Sequence, residues 1–194
     1  MVSSGFILGL ALLLATPGPT NTLLALAGAT SRPRAAPMLL LAELTTYLGT
    51  VVALGALATL IGARIEGLRP WLQAAAALYL LWVAGKMWRW RPDLSGAGQV
   101  RPYHVATTTL LNPKTLIIAF VLMPQGWSGD AAIAAAHLLA MSVLIPVAGT
   151  AWFGGGRALA VVAGTGRRLL LPRVSALLLG LFAMLLAGRA LAGW

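Results

Sequence analysis

Six apolar windows, at about residues 5–27, 37–62, 70–88, 105–124, 131–153 and 172–192, leave this chain very few ways to fold. Each is near the length a helix needs to cross roughly 30 Å of hydrocarbon. Within lipid every backbone amide and carbonyl must find its partner inside the protein, so spanning segments of this length are expected as α-helices. With 59% hydrophobic and 9% charged residues and a mean hydropathy of +0.87, the composition lies far from the soluble range. The sequence therefore predicts an all-α integral membrane protein with six transmembrane helices in a single domain, residues 1–194.

The start, Met1-Val2-Ser3-Ser4, has no basic segment and no small-x-small cleavage site after the apolar run, so the first window is expected to be a retained helix. The net charge of +10 comes from Lys and Arg in short connections, where they act as topology signals and do not form a nucleic-acid surface. There is no cysteine, which removes disulfides and thiolate metal sites, and His104 and His137 lack metal-ligand spacing with an acid or with each other. No metal and no cofactor is expected.

Basic residues set the orientation. Arg32 and Arg34 lie in the first connection, Lys86, Arg89, Arg91 and Arg101 in the third, and Arg157, Arg167, Arg168 and Arg173 in the fifth. The second has Arg64 and Arg69 beside Glu66, and the fourth has only Asp130. Odd connections are thus expected inside and both termini outside. Trp88, Trp90 and Trp152 would mark the inner interface, and Trp71, Trp127 and Trp194 the outer one.

The polar connection from Lys86 to Arg101 separates three windows from three. Halves of about 1–90 and 103–194, joined by a cytoplasmic linker at about 91–102, would enter the membrane from opposite sides as inverted repeats. Pro19 precedes Glu43 by 24 residues, and Pro113 precedes His137 by the same 24.

Two proline-centred tripeptides interrupt apolar windows: Pro17-Gly18-Pro19 in the first and Asn112-Pro113-Lys114 in the fourth. Proline removes a donor and clashes with the preceding turn, freeing carbonyls that lipid cannot satisfy, so such breaks are expected to line a protein-walled cavity. Thr16, Thr20 and Asn21 flank the first break and could cap the freed carbonyls or contact a ligand; helix-to-helix hydrogen bonding is the plainer role. Glu43 lies about six residues inside the second window, where a carboxylate needs a partner or a proton. Lys114 is placed at comparable depth, able to pair with it or to share a substrate's opposite charges; a purely structural pair is the alternative. Tyr47, one turn beyond Glu43, could hydrogen-bond to it or to substrate, or simply pack. His137 could relay protons or hold an interhelical hydrogen bond. His104 is expected in a solvated loop, Pro146 as a kink, and Gly49, Gly55, Gly149 and Gly180 as points of close helix approach.

Ala15-Thr16-Pro17-Gly18-Pro19, Asn112-Pro113-Lys114 and Pro124-Gln125 resemble the lysine exporter family, which includes homoserine and threonine exporters, and the length, six-span layout and motif order match over essentially the whole chain. The resemblance implies a multi-pass carrier of the bacterial inner membrane that exports amino acids or related small metabolites, driven by the proton or sodium gradient. Carried over by position, Pro17, Gly18 and Pro19 would form the first-helix break and Asn112, Pro113 and Lys114 the fourth-helix element. Where family members commonly have glycines after the first connection and along the second helix, this chain has Pro33, Pro37 and Glu43, marking a divergent member.

The expected function is secondary-active export by alternating access, with Glu43 and His137 as coupling residues and the two breaks, Glu43 and Tyr47 around substrate. No Ser-His-Asp or metal constellation points to an enzyme. A structural or regulatory membrane subunit without transport activity is the alternative. The glycine-rich faces would permit a homodimer.

Overall fold

Residues that precede proline are pushed out of the helical region, and this rule places both interruptions. In the computed structural model, Thr16 before Pro17, Gly18 before Pro19 and Asn112 before Pro113 all have extended backbone, and Pro19 and Pro113 each occupy the first turn of the helix that follows. The structure describes residues 2–61, 100–124 and 126–162, with single helical positions between 71 and 89 and between 173 and 188. Most of the third and sixth windows, the linker before Val100, Gln125, and the connections carrying Arg64, Glu66, Arg69, Arg167 and Arg168 lie outside the described residues.

The described residues form an all-α structure with six α-helices: α1 (Ser4–Ala15), α2 (Pro19–Thr30), α3 (Ala36–Ile61), α4 (Pro102–Leu110), α5 (Pro113–Ile117) and α6 (Ala131–Val162). A π-helical turn, Ile118–Leu122, continues α5. The helices α1 and α2 form one bent pair with a 56° bend; α4 and the segment Lys114–Leu122 form a second, bent by 53°. Two stretches, Pro33–Leu57 and Ala131–Val161, are long and apolar enough to cross a membrane, and four segments are if each bent pair is one span.

Solvation is inverted relative to a water-soluble fold. Thr20, Asn21, Glu43, Thr109, Asn112, Lys114, Thr115 and His137 are buried, whereas Leu8, Leu60, Leu139 and Val161 point outward. Two apolar clusters lie at either end of the buried polar residues. One joins Leu10 and Leu14 of α1, Val51 of α3, Ile118 and Met123, and Met141 and Ile145 of α6. The other joins Leu24 and Ala27 of α2, Leu39 of α3, Val105 of α4 and Phe153 of α6. Along α1–α2, α3 and α4–α5 the polar positions fall between these clusters; on α6 it is Gly149 that does, and His137 lies beside the first cluster, against Phe6. The order along the chain also fixes direction: the first bent pair runs from the first cluster to the second, and the second bent pair runs the opposite way. Likewise α3 and α6 are antiparallel.

The helix α2 packs on α6 through glycines. Gly28 abuts the Phe153 backbone carbonyl and Gly156 abuts that of Ala25, approaches that leave no room for a Cβ on either helix.

Several expectations change. The helix of the fifth window, α6, continues nine residues past 153, so Arg157 is an exposed residue of its last turns and not part of a connection; Gly154, Gly155 and Gly156 do not end it because the i→i−4 ladder simply carries on. Pro146 is accommodated inside α6. His104 is not in a loop: it sits in the first turn of α4, where its Nδ1 accepts the Arg101 backbone N–H at 3.2 Å. Trp127, in the connection before α6, is buried in the first cluster, with its ring against Gly55. Trp152 is drawn inward by a hydrogen bond to Leu14.

Candidate functional site

The C-terminal end of α1 has carbonyls without intrahelical partners, and three other elements supply donors. Asn21 Nδ2 donates to the carbonyls of Leu14 at 2.7 Å and Thr16 at 2.8 Å, and Trp152 Nε1 of α6 also donates to Leu14, at 3.1 Å. The Thr16 hydroxyl turns back to Leu13 at 2.7 Å. Lys114, from the other bent pair, donates its ammonium to the Thr16 carbonyl in a short hydrogen bond. A cation at this place also complements the negative end of the α1 dipole.

The second break is closed by Asn112. Its Oδ1 accepts the Lys114 backbone N–H at 3.1 Å, capping α5, and its Nδ2 donates to Thr20 Oγ1 at 3.0 Å and to Tyr47 Oη at 3.2 Å. Both amide protons and the amide oxygen are thus engaged. Thr20 and Thr109 pair through their hydroxyls at 3.2 Å, and Thr115 donates to the Thr109 carbonyl at 3.2 Å. The two breaks meet through side chains of four helices.

Gly18 leaves room for Lys114 in this position: a Cβ there would lie 2.9 Å from Lys114 Cε and 3.2 Å from Nζ, at the flexible end of that side chain. Glu43 has a similar arrangement with α6. A Cβ on Gly149 would come 2.5 Å from Glu43 Oε2 and 2.6 Å from Leu40 Cδ2, so the glycine provides space for the carboxyl. Glu43 is 1% exposed, and its Oε2 has no hydrogen-bond partner. Glu43 and Lys114 lie within electrostatic range of one another but form no direct ion pair. Lys114 is instead on Thr16.

The structure brings together Thr16, Gly18, Thr20, Asn21, Tyr47, Asn112 and Lys114, with Glu43 beside them and Pro17, Pro19 and Pro113 shaping the backbone. Tyr47 is bonded to Asn112, not to Glu43. His137 is apart: its Nδ1 is bonded to the Ile133 carbonyl of its own helix at 2.8 Å and its ring meets Phe6 edge-on at 4.7 Å. Twelve residues separate it from Gly149, about 18 Å along α6. Thr109, Thr115, Trp152 and Gly149 also belong to the site; sequence reasoning read Trp152 as an interface marker and Gly149 as a point of close helix approach, and did not single out Thr109 or Thr115 for it. Thr109, one turn before Pro113, was the most accessible of these to sequence, since its hydroxyl sits where the broken helix loses backbone bonds. Among the described residues no cluster of three or more His, Cys, Asp or Glu could hold a metal ion. No family model, curated protein or solved structure matches the chain.

Proposed function

We propose that the chain is a secondary-active exporter of amino acids or related small metabolites, a divergent relative of the lysine exporters in the bacterial inner membrane, working by alternating access on a proton or sodium gradient. One observation carries this reading: two antiparallel broken helices meet in a buried polar layer between two apolar clusters. Discontinuous helices in corresponding positions of two oppositely running halves are the usual construction of a transporter's central site. The full arrangement we infer is six spans in two inverted three-helix repeats, with both termini outside. The site offers an ammonium at Lys114 for a carboxylate and a carboxyl at Glu43 for a cationic group, across the hydroxyls of Thr20, Tyr47 and Thr109.

The second reading, a membrane subunit that transports nothing, is favoured by the complete hydrogen bonding of the Asn112 amide and the engagement of the Asn21 amide nitrogen by two carbonyls, as expected of a layer that only fixes helix packing. Counterflow separates the two. Vesicles containing the purified protein are loaded with unlabelled amino acids, and uptake of labelled threonine, homoserine, lysine and leucine is followed. Accelerated exchange that is lost in Lys114→Ala supports the exporter; no exchange of any of the four by folded protein favours the subunit.

A further inference from the structure

The unpartnered oxygen of Glu43 and the engagement of Lys114 elsewhere belong together. A carboxylate buried in a span without a hydrogen bond on one oxygen and without a counter-ion in contact would be costly, whereas the neutral acid is far less so. Lys114 is close enough to act on Glu43 electrostatically, yet it bonds the end of α1. We propose that Lys114 is a two-position latch: in the conformation described here it holds the Thr16 carbonyl while Glu43 carries a proton, and in a second conformation it leaves Thr16 for Glu43 as that proton departs.

In this exchange the Glu43 O–H bond breaks, the proton leaves to water on the side to which the site has opened, and a Lys114 N–H shifts from the Thr16 carbonyl to the carboxylate. The net charge of the buried pair falls by one as the proton leaves, from that of a lone ammonium to a neutral ammonium–carboxylate pair. The end of α1 then loses its tie to the second bent pair, because among the described residues Lys114 is the cross-pair donor to the Thr16 carbonyl, leaving Asn21 of the same pair on it, while the contacts of Thr20 on α2 with Asn112 and Thr109 remain. As a coupling device the latch rests on the exporter reading; as a proton site it does not.

The surroundings of Glu43 make Lys114 its natural alternative partner. Facing it are Lys114 from α5, Gly149 from α6 and Leu24 of α2 across the same gap, with Tyr47 one turn along α3. The helix α4 brings uncharged Thr109 to the layer, its His104 being at the opposite end in a cap, and His137 lies about 18 Å along α6. Gly18 allows Lys114 to remain on Thr16, so enlarging it should drive the latch to its second position.

The test is modification by dicyclohexylcarbodiimide, which attacks protonated carboxyls in apolar surroundings. Full-length protein in lipid vesicles is treated from about pH 5 to pH 9, and the adduct on the Glu43 peptide is measured by mass spectrometry. Glu43→Gln serves as the blank, and folding is checked by size exclusion and circular dichroism. The wild type should label at Glu43 and lose labelling as pH rises. Lys114→Met should move that loss upward by about 1–3 pH units, the usual effect of removing a nearby opposite charge from a carboxylate. Gly18→Ala should move it downward. Absence of labelling in folded wild-type protein at every pH, or an unchanged curve in both folded variants, would overturn the latch. Protection by sodium at constant pH and ionic strength would also overturn it, making the site one for a metal cation. Labelling as expected without counterflow would support the latch as a proton site while the exporter reading falls; intact counterflow without labelling would do the reverse.

Discussion

The Lys114 ammonium is bonded to the backbone carbonyl of Thr16, 98 residues earlier in the chain. A side chain from the start of one half-helix therefore closes the end of another, and the two breaks become one structural unit. The second break satisfies its own backbone through Asn112 and Thr115, whereas the end of α1 draws on Lys114 and Trp152 as well as on Asn21 of its own pair. With Asn112 also donating to Thr20, the polar layer is sensitive to single substitutions.

Asn112 is the most connected member of that layer, and its two roles can be separated. Asn112→Ala removes the α5 cap, worth about 1–2 kcal/mol, and leaves the Thr20 and Tyr47 hydroxyls without their donor at a further cost of about 1 kcal/mol or more. Asn112→Ser keeps a cap acceptor and loses the amide donors without adding a charge. Unfolding in detergent followed by tryptophan fluorescence should show Ala falling further than Ser; equal losses would mean that the cap contributes nothing.

Asn21 and Trp152 share the Leu14 carbonyl as acceptor, so their effects should not add. Trp152→Phe alone leaves Asn21 in place and should cost about 1 kcal/mol from the lost hydrogen bond, before any packing change. In the double variant Asn21→Ala/Trp152→Phe the carbonyl is orphaned, and a double-mutant cycle should give a coupling of at least about 0.5 kcal/mol. A coupling of zero would remove the shared acceptor as the link between α6 and the first break.

The glycine run in α6 contains its own control. Gly156→Ala drives a Cβ into the Ala25 carbonyl and should destabilise by about 3 kcal/mol or more, since backbone is met at a distance no side chain tolerates. Gly155→Ala, one residue earlier, meets open space and should stabilise the helix slightly, by up to about 1 kcal/mol. Thermal midpoints of the two variants should move in opposite directions.

His137 provides a negative expectation. With one ring nitrogen on the Ile133 carbonyl and the ring packed on Phe6, it is well away from Glu43 and Lys114. In His137→Phe, counterflow and its pH dependence should match the wild type, and only the thermal midpoint should shift, with the lost Ile133 bond and the repacked Phe6 contact. A changed pH profile would return His137 to the coupling path.

How much of this was legible depended on the kind of constraint. Proline acts on the backbone it belongs to, so Pro17, Pro19 and Pro113 announced both breaks, and the rarity of charge in an apolar window singled out Glu43 and Lys114. Side chains whose roles depend on a distant neighbour were not legible. Nothing local distinguishes Trp152 bonding inward to Leu14 from a tryptophan at a lipid interface, or Trp127 buried against Gly55 from one at an outer rim. Gly149 was expected as a helix contact; its use as space for the Glu43 carboxyl is defined by a helix more than a hundred residues earlier. The paired spacing from proline to ionisable residue placed Glu43 and His137 in equivalent positions, yet only Glu43 reaches the polar layer.

The mutual glycine contacts between α2 and α6 carry a mechanical consequence. Where backbone rests on backbone at Gly28 and Gly156, sliding or tilting one rod without the other would require the chains to separate and open a void in the apolar cluster around Leu24 and Phe153. These two rods come from opposite halves of the sequence. An opening movement of the kind proposed would have to carry them as one piece, which puts Pro17-Gly18-Pro19, where α2 leaves α1, in the path of that movement.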